Sequence, residues 1–212
     1  PSIGVGVDRF GTFVGGSTAL YFSDMLGNHN LSVAFQSFGG LEDIAGQVVY
    51  SNLKKRFDWA FGAEYIPYLY AGGFQRSLVE GSAGEPLIVD RYLLQRQTNA
   101  ALFGIGAYPF SRTNRFEIQG AFRRYGFSQE LRTDVYSGID GSFLGRNEEN
   151  VETGFEPIHL GSVSGALVHD SSIFGATSPI LGMRARLEAS PTFGTVRYTE
   201  LLADWRGYAM PV

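Results

Sequence analysis

The sequence predicts an all-β chain, an antiparallel meander of about ten strands that crosses a membrane as a β-barrel. Three observations carry that expectation. Period-2 alternation dominates, and it sets aromatic and aliphatic residues on one face against small or charged residues on the other. Glycine and aromatics are plentiful, with 28 Gly, 17 Phe and 11 Tyr in 212 residues, whereas charged residues make up only 18%. No run of about 18 apolar residues exists, so a membrane role requires strands and not a helix.

The alternation is plainest in "FDWAFGAEY", where Phe57, Trp59, Phe61, Ala63 and Tyr65 share a face opposite Asp58, Ala60, Gly62 and Glu64. It recurs in "LSVAFQ", with Leu31, Val33 and Phe35 against Ser32, Ala34 and Gln36. In "RFEIQGAFR", Phe116, Ile118 and Phe122 oppose Glu117, Gln119 and Arg123, and in "GMRARLEAS", Met183, Ala185, Leu187 and Ala189 oppose Arg184, Arg186, Glu188 and Ser190. A closed apolar core would not tolerate so many charges on one face, whereas a wet lumen would. A soluble β-sandwich or ligand-binding barrel is the competing reading, because alternating faces also occur there.

Ten strands follow in order: 2 to 10, 17 to 25, 31 to 38, 43 to 52, 57 to 69, 86 to 108, 115 to 136, 158 to 170, 180 to 190 and 195 to 209. The first is glycine-rich, "GVGVDRFG", and lacks the third in-register glycine and the helix that a phosphate loop would need. Two strands far exceed ordinary globular length, as strands that project beyond a bilayer do. The connections "GNHN", "KKR", "SRTN" and "SSIFGATSP" are compact, and the polar segments 70 to 85 and 137 to 157 both fall on the opposite side. That asymmetry matches short periplasmic turns and longer outer loops. Tyr21, Phe22, Trp59, Tyr65, Tyr68 and Tyr70 suit interfacial aromatic girdles. The whole chain, 1 to 212, reads as one barrel domain, and both of its ends read as cuts in a longer chain.

The net charge of -4 offers no basic face for phosphates, so nucleic acid is not expected as a partner. With no cysteine there is no disulfide framework, thiolate nucleophile or Cys-based metal site. His29 and His159 lie near strand ends without paired ligands at metal spacing, so no metal or other cofactor is expected. The carboxylates Asp140, Glu148, Glu149, Glu152 and Glu156 read as a solvated outer loop. His169, Asp170 and Ser171 are adjacent, and neighbours on a strand point to opposite faces, so the three do not converge as a triad. No catalytic constellation emerges, and the chain is not expected to be an enzyme. The candidate functional residues are instead the charges Arg184, Arg186, Glu188, Glu200, Asp204 and Arg206 on the polar faces of neighbouring strands. They line a lumen and control passage or hold a lid, or they compensate one another and stabilise the lumen.

Three further stretches, "GGSTALYFSDMLGNHNL", "VHDSSIFGATSPILGMRARLEASPTFG" and "YTELLADWRGYAMPV", resemble the membrane barrel of the bacterial surface-antigen superfamily. That superfamily includes the outer-membrane protein assembly factor and the translocation and assembly module. Barrels that follow periplasmic β-propeller repeats are the nearest in kind. The resemblance implies a sixteen-strand barrel in the bacterial outer membrane, of which about ten strands are present here. It implies a role in protein insertion or translocation, or in anchoring periplasmic domains, with outer-membrane lipid and other envelope proteins as partners. A passive channel or structural barrel is the alternative. Arg206, Gly207 and Tyr208 spell the family's Arg-Gly-aromatic lid motif, but Asp204, Arg206 and Tyr208 fit its Asp-x-Arg-x-Tyr strand pattern, which precedes the lid. By that alignment the lid and the closing strands lie beyond residue 212, and the first strand with Gly4, Gly6 and Gly11 forms a soft seam. Were the chain closed by itself, residues 3 to 10 would pair with 196 to 208.

Overall fold

The computed structural model describes residues 2–8, 11–38, 43–82 and 84–210. Among the described residues it is all-β, with 79% in strands and no helix, and they form one antiparallel meander sheet of 12 strands that is not closed. The strands are β1 (Ser2–Asp8), β2 (Gly11–Ser23), β3 (His29–Phe38), β4 (Ile44–Asn52), β5 (Asp58–Glu80) and β6 (Pro86–Pro109). They continue with β7 (Asn114–Ser137), β8 (Phe143–Val151), β9 (Ile158–Asp170), β10 (Ile173–Phe174), β11 (Pro179–Gly194) and β12 (Tyr198–Tyr208). Neighbours pair in the order β1-β2-β3-β4-β5-β6-β7-β9-β11-β10, with β8 on β7 and β12 on β11. Among the described residues β1 pairs with β2 and not with β12, so the self-closing ladder is absent. Residues 9 and 10, the end of the expected first strand, lie outside the described residues.

Several boundaries move. The second strand begins at Gly11 and not at residue 17, because the glycine-rich run continues as a hairpin with β1, Ser2 opposite Ser17. The segment expected as a long loop after residue 69 is largely strand, since β5 runs on to Glu80. In the other expected loop, 137 to 157, β8 pairs with β7, Arg132 opposite Glu148. These stretches lack one-sided alternation because polar groups occupy both of their faces, so periodicity gives no strand signal there.

The chain divides into two compact units. The first comprises Pro1–Tyr65, Ala100–Arg124 and Ile158–Val212; the second comprises Ile66–Asn99 and Tyr125–Pro157. In the first unit the registers put the expected residues on common faces. Leu31, Val33 and Phe35 pair with Tyr50, Val48 and Gly46, and these pair in turn with Phe61, Ala63 and Tyr65. Because directly opposed residues point the same way, one apolar face runs continuously across β2 to β5. It is exposed: Phe22 is 55% accessible, Phe35 51% and Phe61 54%. Among the described residues of the unit the buried apolar side chains are small ones, Ala101, Ala121 and Ala166, and all belong to the opposite, charged face. An ordinary soluble domain has this the other way round, with large apolar groups inside.

Two local devices shape the unit. Asp24 closes the β2–β3 turn by accepting the Gly27 N–H at its carbonyl (3.0 Å) and the His29 N–H at its carboxylate (3.0 Å), with Gly27 at φ 70°. Glycines also seat aromatic rings. A Cβ on Gly62 would lie 2.5 Å from the Phe103 ring, and one on Gly106 would lie 2.6 Å from that of Phe57. A larger residue at Gly62 therefore requires the Phe103 ring to move.

Candidate functional site: a charged sheet face

The six candidate charges share one face of β11 and β12. Arg184 is opposite Arg206, Arg186 opposite Asp204, and Ser190 opposite Glu200, while Glu188 lies between them on the same side. Period-2 geometry alone produces this, because 184, 186, 188 and 200, 204, 206 are spaced by even intervals on strands in register.

The pairing goes further than the sequence indicated. Arg186 donates to Glu188 at 2.7 Å and reaches across β9 to Glu117 on β7 at 2.6 Å. Arg115 completes the row by donating to Glu117 at 2.6 Å, and Ser190 donates to the other Glu188 oxygen at 3.1 Å. Ala166, 2% exposed, lies on the same face between the two strands that the bridge joins. A larger residue there would stand in the way of Arg186. Arg184 pairs with Asp170 at 2.8 Å and Arg206 with Asp204 at 2.8 Å. Thus five of the six candidates are engaged in mutual compensation, and Arg115, Glu117 and Asp170 are members of the network that the sequence did not single out as candidates. Their alternation was visible; the reach from β7 to β11 was not, because it depends on β9 lying between them.

The opposite face at the same strands carries Met183, Ala185, Leu187 and Ala189, opposed by Gly207, Trp205, Ala203 and Leu201. Phe193 lies over Gly161, its register partner on β9. Of the aromatics expected in interfacial girdles, Phe22, Trp59 and Tyr65 fall on the apolar face and Tyr21 on the polar one. Tyr21 pairs with Ser32 on the polar face and donates to Asn30 at 2.6 Å. Tyr68 and Tyr70 stack on each other at 6.4 Å, and Tyr70 lines a pocket with Gln95, Gln97, Gln129, Phe127 and Phe155. Consecutive aromatics on a strand cannot both face one side, which decides between Tyr21 and Phe22.

The second unit holds a cluster that no local pattern in the sequence marks. Asp90 is 1% exposed and accepts two bonds from Arg76, both 2.6 Å. Asp134, 4% exposed, is clasped the same way by Arg146 at 2.6 and 3.0 Å. The Arg76 bonds hold the Asp90 carboxyl below the usual carboxylate range against the desolvation that would raise it. Burial pushes the Tyr92 hydroxyl up, and the charges of Asp90 and Asp134 add to that. In the β7–β8 turn, Asp140 accepts from the Ser142 backbone and from the hydroxyls of Ser137 and Ser142, which pulls its carboxyl down to about 2. Glu148 and Glu149, expected with it in a loop, are strand residues of β8.

At the end of β9, His169 and Asp170 do point to opposite sides, as expected. Asp170 bonds Ser172 and Arg184. Ser171, however, falls on the side of His169. The His169 Nε2 is 3.1 Å from the Ser171 hydroxyl and its Nδ1 is 2.8 Å from the Asn114 side-chain oxygen. Asn114, at the start of β7, lies 55 positions from His169 in the chain, so no local pattern brings it to the site. No family model, curated protein or solved structure matches this chain.

Proposed function

We propose that this chain is part of the wall of an outer-membrane β-barrel, with its apolar face in lipid and its charged face toward an aqueous lumen. The observation that carries the reading is the inverted burial of the first unit. Large aromatic and aliphatic side chains are exposed, while charges are cross-linked over buried alanines. Water makes the first arrangement costly and a hydrocarbon solvent makes it favourable. Dimensions agree: from Met183 to Phe193 the apolar side of β11 runs about 33 Å. Tilted as barrel strands are, that gives a band about 25 Å tall. The 23 residues of β5 are more than that band needs.

Within that architecture the proposed role is the one its sequence resembles: an insertion or translocation barrel of the bacterial surface-antigen type, built from more strands than the twelve here, or an anchor for periplasmic domains. The compensated charges favour a second reading, a structural or passively conducting barrel, because paired arginines and carboxylates stiffen a wall without binding a client. Reconstitution in vesicles separates the two. Faster folding of an unfolded client barrel into vesicles that contain this protein supports the insertion role. Unchanged client folding, together with steady ion conductance across a planar bilayer, supports the passive one. If neither assay finds protein in the bilayer, the membrane reading itself falls.

A further inference from the structure

We propose that Ser171, His169 and Asn114 form an acyl-ester hydrolase site on the apolar side of the sheet, where Ser171 is the nucleophile. The polarity of the bonds is that of a working relay. Asn114 presents its side-chain oxygen to Nδ1, so the proton sits on Nδ1 and Nε2 is left as an acceptor, 3.1 Å from the Ser171 hydroxyl. This is the geometry in which an imidazole activates a serine and a third group fixes its tautomer. The Asn114 amide nitrogen donates to Ser111 and Thr113. The Ser171 hydroxyl is also within 3.2 Å of the Met183 carbonyl and accepts from the Met183 N–H at 3.3 Å. The N–H would steady negative charge developing on Oγ, while the carbonyl competes with Nε2 for the hydroxyl proton and holds the free site in check.

The three residues come together because of register. Ser171 follows His169 by two positions and so returns to its side; Asn114 opens β7, the strand beside β9. The approach of Ser171 to β11 depends on Gly182, at φ 98°, where any Cβ would meet the Ser171 carbonyl. His169 is opposite Ala185, itself opposite Trp205, so the site opens on the apolar face near the strand ends. An ester whose acyl chain lies along Leu167, Leu187 and Trp205 would bring its carbonyl to that level, and the substrate class follows: carboxylic esters of long acyl chains. In the first half-reaction Oγ adds to the carbonyl carbon as Nε2 takes its proton, and the C–O bond to the alcohol breaks as the alcohol leaves with that proton. In the second, water gives its proton to Nε2 and its oxygen to the acyl carbon, and the fatty acid leaves as Ser171 regains the proton. Water is the only co-reactant. The nucleophile assignment stands on the bonds alone; the long-chain preference rests on the membrane reading.

The test is a fluorophosphonate probe on the folded protein, with peptide mapping of the adduct, followed by hydrolysis of p-nitrophenyl decanoate and p-nitrophenyl acetate. Labelling is expected at Ser171, and decanoate hydrolysis should fall at least about a hundredfold in Ser171→Ala and His169→Ala. Asn114 is a positioning residue. Asn114→Ala should lower kcat with KM unchanged, and Asn114→Asp should restore it. A folded protein that takes no label, or labels other serines equally, overturns the proposal without relying on any variant. Ser171 labelling with no preference for decanoate over acetate overturns the long-chain assignment. Folding of the unlabelled protein into vesicles is scored separately, so a failed membrane reading and an inert serine are told apart.

Discussion

At the scale of single residues, the contacts separate positions that look alike in sequence. Gly62 and Ala60 alternate on the same side of β5, and at Gly62 an added Cβ would meet the Phe103 ring. Gly62→Ala should destabilise the fold by about 1–3 kcal/mol through overpacking. Phe103→Leu in the same chain should recover part of that loss, as read from urea unfolding of singles and double. The Arg76–Asp90 pair is asymmetric: the Asp90 side chain is 2% exposed and that of Arg76 63%. Arg76→Met strands a buried carboxylate, whereas Asp90→Asn leaves a cation already in water, so the first should lower the urea midpoint more than the second. Asp140 gives the pH signature. Its carboxyl is held at about 2, below the value it would have unfolded, so its contribution is complete above pH ~4 and is lost as pH falls toward 2. An NMR titration of Asp140 should find that depressed midpoint, and Ser142→Ala should move it back up.

At the scale of elements, the two faces of a strand should respond oppositely to the same change. Phe61→Arg puts a charge on the apolar face and should cost about 2–4 kcal/mol if that face meets lipid near its midplane. Gln36→Arg, on the other face of β3, should stay within about 1 kcal/mol. Folding titrations into vesicles measure both, and equal losses would count against a lipid-facing surface. The row from β7 to β11 should also behave as a unit: Arg186→Ala and Glu117→Ala should be non-additive by about 1 kcal/mol in a double-mutant cycle. Which face each residue takes was legible for β3, β5, β7 and β11, because alternation is a property of the local sequence. The coupling of Glu117 to Arg186 was not, because it needs strands two apart to be known as near neighbours.

At the scale of the whole molecule, the antiparallel meander was legible, as were most strand centres, but where strands end was not. Alternation records a strand only where its two sides meet different solvents. The continuation of β5 to Glu80 and the pairing of β8 with β7 lie where both sides are polar, and so they read as loops. Buried polar contacts such as Arg76–Asp90 hid for the same reason, since nothing in the local pattern marks an aspartate as buried. The convergence of Ser171 on His169 was available from parity alone, but Asn114, 55 positions before His169, required the fold.

The central claim is that the apolar face of the first unit lies against hydrocarbon, and the two tryptophans allow it to be measured directly. Trp59 and Trp205 are the only ones in the chain, and both fall on that face, Trp205 with 71% of its surface exposed. The protein is folded into vesicles whose lipids carry bromine at defined acyl positions, and tryptophan fluorescence is compared with quenching by aqueous iodide. Strong quenching by bromine within the acyl region, with iodide nearly without effect, is the predicted result. Iodide quenching at full strength with no response to brominated lipid would contradict it.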